Sequence, residues 1–219
     1  MGEQITIVDI VEIARRYVKN WEVRTRRDGS KSEYPMWSTD EFLSAIHELE
    51  DATVKGSTIE LRGNSPTWVM ASVVRLAYPN DVIFWRDELY AVRMVKILMA
   101  EKCGDTNPDA EIDFSVSTDG DKVFITYMTD DMSKPFTNGS HNYNLEKLPL
   151  VITPYVDPNS HVYLQGSAAY PVSMSILSSY FNKCKSISIM DYDQPFFTCV
   201  ASYCDERNVG DQIPGNRNS

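Results

Sequence analysis

The residues with the most chemical content lie in one run, Arg62-Gly63-Asn64-Ser65-Pro66-Thr67-Trp68, with Asp87 further on. A guanidinium beside a glycine at the start of a helix is an arrangement that can receive a phosphate. The glycine lets the backbone approach closely, and the first N–H groups of the helix stabilise negative charge. Gln165-Gly166-Ser167 repeats the pattern later in the chain, and Asp191 follows it as Asp87 follows Gly63. Asp87 and Asp191 are the candidate catalytic carboxylates, able with a divalent ion to activate water or a hydroxyl. Asp87, and the pair Asp191 and Asp193, could also hold such an ion through their oxygens. Plainer readings stand beside these: ordinary turn glycines, solvated acidic turns, and Trp68 and Trp85 as core aromatics. No Ser-His-Asp order, phosphate-loop lysine motif or dinucleotide glycine triplet occurs, so conventional hydrolase, kinase and dehydrogenase chemistry has no support.

The elements that position these residues follow from periodicity. Ile59 and Leu61 alternate as a strand, Gly63 breaks it, Ser65 can cap a helix and Pro66 suits its first position. Val69, Met70, Val73, Val74 and Leu76 give that helix an apolar face, Tyr78-Pro79-Asn80 ends it, and Val82 to Trp85 reads as a buried strand. A shift of 103 positions lays Val162, Leu164, Gln165, Gly166 and Ser167 on Ile59, Leu61, Arg62, Gly63 and Asn64. This predicts an internal duplication. The fold class expected is α+β: two similar sandwich-like α/β units, each with a strand–glycine turn–helix–strand core, forming a pseudo-dimer.

Around these cores, Ile10, Ile13, Ala14, Tyr17 and Val18 predict an amphipathic helix, and Ser38 with Glu41 forms a capping box before a helix whose core side is Phe42, Leu43, Ile46 and Leu49. Residues 21 to 37 predict a hairpin or mobile loop around Asp28-Gly29, carrying a basic cluster (Arg24, Arg26, Arg27, Lys31) that could close over a phosphate or simply be solvated. Ile112 to Tyr127 predicts a hairpin turning at Asp119-Gly120, and 132–144 a loop. The domains expected are 1–104, 109–204 and a disordered tail, 205–219, poor in bulky apolar residues.

With 21 basic and 31 acidic residues the net charge is −10, which disfavours long nucleic acid as a partner but not a small anion in a local pocket. No apolar run approaches the roughly 20 residues of a membrane span, so no membrane partner is expected and the chain is placed in the cytoplasm. Cys103, Cys184, Cys199 and Cys204 contain no Cys-x-x-Cys pair, and only His47, His141 and His161 could assist them. That spacing predicts reduced cysteines and no structural zinc, and no metal ligands are assigned.

Arg62-Gly63, Pro66 and Trp68, the helix after them, the aliphatic strand and Asp87 together resemble the small stand-alone ring-nuclease family associated with type III CRISPR systems. The core of that family reads roughly Gly-Arg-Gly-Pro-Ile-Trp-Leu and later Tyr-Asp-Pro. The second half is similar in layout rather than motif. The resemblance implies a nucleotide-binding α+β sandwich, dimeric or filamentous, that opens cyclic tetra-adenylate with the aid of manganese. This chain would then be two such units fused, with a ligand site drawn from Arg62, Gly63, Asn64, Ser65 and Trp68 in one half and Gln165, Gly166 and Ser167 in the other. The family histidine after the helix is replaced by Tyr78 and Phe181, and Pro171 stands where Trp68 would recur. Histidine proton transfer typically supplies about 10²–10⁴ in rate, so the expectation is a cyclic oligoadenylate binding protein with slow or absent cleavage. An active manganese-dependent ring nuclease, and a protein-interaction component of a defence assembly, are the alternatives; a homo-oligomer or a defence-system partner fits each.

Overall fold

Alternation at Ile59 and Leu61 produces the inner strand of a parallel sheet, and the chain before it supplies the neighbour and the cover. The computed structural model describes residues 5–25, 29–53, 58–87, 90–102, 112–129, 151–168, 170–191 and 194–215, excepting the side chains at 86, 87, 90, 91, 129 and 167. The described residues form a mixed α/β protein of four helices and several sheets, in two compact units, Met1–Arg93 and Met94–Ser219. The division falls between Arg93 and Met94, N-terminal to the boundary expected between residues 104 and 109.

In the first unit the elements are β1 (Ile5–Asp9), α1 (Ile10–Tyr17), β2 (Trp21–Thr25), β3 (Lys31–Pro35), α2 (Thr39–Ala52), β4 (Thr58–Arg62), α3 (Thr67–Ala77), β5 (Val82–Asp87) and β6 (Tyr90–Arg93). The sheet order is β1-β4-β5-β6; β1, β4 and β5 run parallel and β6 returns antiparallel. Register puts Val8 beside Leu61 and Leu61 beside Phe84, all buried, while Ile5 and Ile7 on the edge strand point the other way and are exposed. α1 packs on α2 and α2 on α3. The capping box forms as read: the Ser38 hydroxyl accepts from Glu41 N, and Glu41 accepts from Ser38 N. Phe42, Ala45 and Leu49 are the buried positions of α2; Leu43, expected inside, is exposed because the apolar stripe is centred on Ala45. β2 and β3 pair antiparallel, Trp21 beside Pro35 and Thr25 beside Lys31.

The second unit holds β7 (Leu98–Met99), β8 (Ile112–Asp119), β9 (Lys122–Thr129), β10 (Ile152–Thr153), β11 (His161–Ser167), α4 (Tyr170–Ser178), β12 (Ser186–Met190), β13 (Phe196–Ser202) and β14 (Gln212–Pro214). Its main sheet runs β14-β13-β12-β11-β9-β8. The predicted hairpin is β8–β9, with Gly120 at φ +61° in the turn. β9, β11 and β12 are parallel and β13 antiparallel, so the four strands β9-β11-β12-β13 repeat the order and directions of β1-β4-β5-β6. Register agrees as well: Ile59 lies beside Val82 and Leu61 beside Phe84, while Val162 lies beside Ile187 and Leu164 beside Ile189.

Residues 205–215 do not form the disordered tail expected from composition. β14 pairs antiparallel with β13, and Gly210 N donates to Cys199 O. An edge strand needs backbone partners more than apolar side chains, so composition alone did not reveal it. The expected 132–144 loop lies outside the described residues, as do Arg26, Arg27, Cys103, His141 and Asp193. No described helix is long and apolar enough to cross a membrane.

Candidate functional site

Parallel strands bring their carboxyl ends to one edge, and in the first unit that edge gathers Asp9, Arg62 and the turn that follows it. Asp9 lies beside Arg62 in register, and its Oδ1 accepts from Val11 N at 3.0 Å and Glu12 N at 3.1 Å, capping α1. Arg62 Nε donates to Glu60 Oε1 at 2.5 Å, and its guanidinium carbon sits 5.2 Å from the centre of the Trp85 ring. The glutamate is largely buried, so it and the indole fix the direction of an arginine that is 38% exposed. Only Nε serves that ion pair, out of five guanidinium N–H donors.

Gly63 takes φ +89°, a conformation side-chain-bearing residues rarely adopt. A Cβ there would stand 2.7 Å from Val11 Cγ2 and 3.2 Å from Val11 N, so the glycine also makes room for the first turn of α1. Asn64 is exposed and Ser65 wholly buried. The helix start differs from expectation: Pro66 is the N-cap of α3, not its first helical residue, and no side-chain hydrogen bond caps it, Ser65 being drawn into the interior. Trp68 is 7% exposed, its ring 5.1 Å from Phe42, which makes it a core aromatic rather than a ligand contact. Asp87 closes β5 one strand away, its side chain outside those described.

The second unit brings Gln165, Gly166 and Asp191 to the matching edge, with different local chemistry. Gly166 is not a turn glycine; β11 continues pairing with β9 to Ser167, and a Cβ on Gly166 would lie 2.5 Å from the ring and carbonyl of Tyr127. The glycine is there to seat that aromatic. Burial pushes the Tyr127 hydroxyl up to about 12, with Ser173 lowering it and Asp191 raising it, so the phenol stays protonated beside the aspartate. Gln165 Nε2 donates to Thr126 Oγ1 at 2.8 Å. The side chain of Ser167 is outside those described. Phe181, which follows α4, is 2% exposed and belongs to the core, whereas Tyr78, which follows α3, is exposed. Within the basic hairpin, Arg24 Nε donates to Glu22 Oε2 at 2.8 Å and its guanidinium lies 3.6 Å from the Tyr34 ring centre, so this arginine is tied down locally.

A second constellation, missed from the sequence, lies at the opposite ends of the same strands. His161 opens β11 and is 3% exposed; its Nδ1 is 2.7 Å from Ser186 Oγ, and its Nε2 is 2.9 Å from Glu206 Oε2 and 3.7 Å from Asp121 Oδ2. Lys185 Nζ stands 3.5 Å from both Asp121 and Glu206. The His161 hydrogen bond and then the lysine charge hold Glu206 below the ordinary carboxylate range. Burial opposes the same shift at Asp121, but His161 and Lys185 win there too. Cys204 joins the group: one ligand atom each from His161, Cys204 and Glu206 lies within 4.8 Å of the others, and together they could hold a metal ion. Sequence spacing could not show this, because 43 positions separate His161 from Cys204 and the turn after β13 closes the gap. Cys184 and Cys199 are buried thiols pushed up to about 12 and about 11, chiefly by desolvation, and remain neutral. No protein-family model matches the chain, and no curated protein matches it by sequence.

Proposed function

We propose that the chain is a cyclic oligoadenylate binding protein of a type III CRISPR or related defence system, with slow or absent ring-nuclease activity. The observation that carries this reading is the β4–Gly63–α3 turn at the carboxyl edge of a parallel sheet, with Arg62 aimed by Glu60 and Trp85 and no side chain capping α3. Such an edge presents one fixed guanidinium with which a phosphate could pair. The resemblance of Arg62-Gly63, Pro66 and Trp68 to the ring-nuclease motif supplies the ligand class. The shared order and register of the two four-strand cores supports descent from one duplicated unit, and the glycine at 166 would be its altered copy.

Slow cleavage follows from the groups present. Tyr78 and the buried Phe181 stand where the resemblance would place a histidine, and neither side chain carries an imidazole to act as the proton-transfer base. Manganese, which the resemblance implies, favours carboxylate and water oxygens. The described His161, Cys204 and Glu206 group has a mixed donor set that does not fit it. Incubation with excess cyclic tetra-adenylate and manganese, followed by chromatography, tests the proposal: the ring should be recovered intact. Many turnovers within minutes, lost in Asp87→Ala, would make the chain an enzyme.

A further inference from the structure

We infer that His161, Cys204 and Glu206 form a binding site for a zinc-class divalent cation, which clips the segment after β13 to the first residue of β11. This site is independent of the nucleotide reading and lies at the other ends of the strands. Its donor set is one imidazole nitrogen, one thiol sulfur and one carboxylate oxygen, with the Asp121 carboxylate 3.7 Å from the imidazole as an available fourth. Nitrogen with sulfur selects zinc-like ions over magnesium, calcium or manganese, which prefer oxygen alone. Ligand atoms around tetrahedral zinc stand about 3.3–3.7 Å apart, as zinc–ligand distances near 2.0–2.3 Å require. Here the Nε2 to Oε2 distance is 2.9 Å and no pair in the group exceeds 4.8 Å, so small side-chain movements close the site.

Backbone hydrogen bonds hold the contributing segments together before any ion arrives. His161 N donates to Asp121 O at 2.8 Å, Lys185 N to Ser160 O at 2.8 Å, and Tyr203 N to Lys185 O at 2.8 Å. The Ser202 hydroxyl lies 3.0 Å from Cys204 O and 2.6 Å from Arg207 O, which fixes the turn carrying the cysteine and the glutamate. The imidazole is oriented too: Ser186 Oγ takes up Nδ1 and directs Nε2 at the carboxylates, the arrangement that metal-binding histidines use. Lys185 supplies the positive charge in the metal-free protein, 3.5 Å from both carboxylates, and would yield that place to a doubly charged ion.

Zinc competition against a chromophoric chelator, with the full chain kept reduced by a phosphine, tests the inference. One equivalent should be withheld from the chelator, and Cys204→Ala and Glu206→Gln should each weaken that binding by about tenfold or more. Glu206 is a surface side chain, 61% exposed, and Cys204 is half-buried, so both variants leave the core intact, whereas His161→Ala would open a cavity in it. Cobalt in place of zinc should give a near-ultraviolet sulfur-to-metal band in the wild type that Cys204→Ala lacks. Absence of a stoichiometric site, or a site whose affinity and cobalt band survive Cys204→Ala, would overturn the inference and leave the group an ion-paired histidine network.

Discussion

Two glycines that align in the sequence answer to different atoms. Gly63 is fixed by a left-handed backbone and by Val11, whereas Gly166 lies in a strand and is fixed by Tyr127. Gly63→Ala should therefore cost about 1–2 kcal/mol for the left-handed conformation plus the contact with Val11 Cγ2. Adding Val11→Ala should recover the contact but not the backbone part. Trp21, Trp37, Trp68 and Trp85 all lie in the first unit, so tryptophan fluorescence during urea unfolding reads that unit alone. An unchanged midpoint for Gly63→Ala would show the turn to be unstrained. That a glycine was needed at 63 and at 166 was legible in the sequence. The reason was not, since residues 11 and 127 supply the crowding atoms from far away in the chain.

At the scale of elements, local signals carried most of what could be read. Ser38 and Glu41 announce α2 because a capping box is written within four residues, and Asp119-Gly120 announces its hairpin for the same reason. β1 went unread because it runs into α1 without a break, Asp9 ending one and capping the other. β14 went unread because its support is the backbone of β13. Ser38→Ala should lower the stability of the first unit by about 1 kcal/mol, read from the urea midpoint of its tryptophan emission. Glu41 adds a pH signature: burial would raise its pKa, yet the amides of Ser38 and Lys19 hold it below the ordinary 4.5. A depressed carboxylate stabilises the fold above its unfolded pKa and loses that contribution as pH falls through the folded one. The stability gap between wild type and Glu41→Gln should accordingly be present at neutral pH and close on acidification below about the ordinary carboxylate pKa. A gap that stays constant to acid pH would assign the effect to packing instead.

Across the molecule, the two units share a core of four strands in the same order, direction and register. The offset of 103 lays Ile59 and Leu61 of β4 on Val162 and Leu164 of β11, so the alternation of these two strands was readable in the sequence although few identities accompany it. The site was less legible. Arg62 ends β4 ahead of the Gly63 turn, as strand alternation predicts, but its partners Glu60 and Trp85 and the inward turn of Trp68 depend on tertiary packing. His161, Cys204 and Glu206 were invisible for a similar reason. Ligand binding at the Arg62 turn is the central claim, and one titration tests it most directly: cyclic tetra-adenylate added to wild type and Arg62→Ala at low and high salt, with thermal unfolding as the readout. The account predicts saturable stabilisation of the wild type, about 2.7 kcal/mol at one hundred times Kd, with a clear loss in Arg62→Ala that narrows as salt screens the guanidinium over roughly 8 Å or less. No stabilisation of the wild type by the ring, or equal stabilisation of both proteins at every salt concentration, would contradict it.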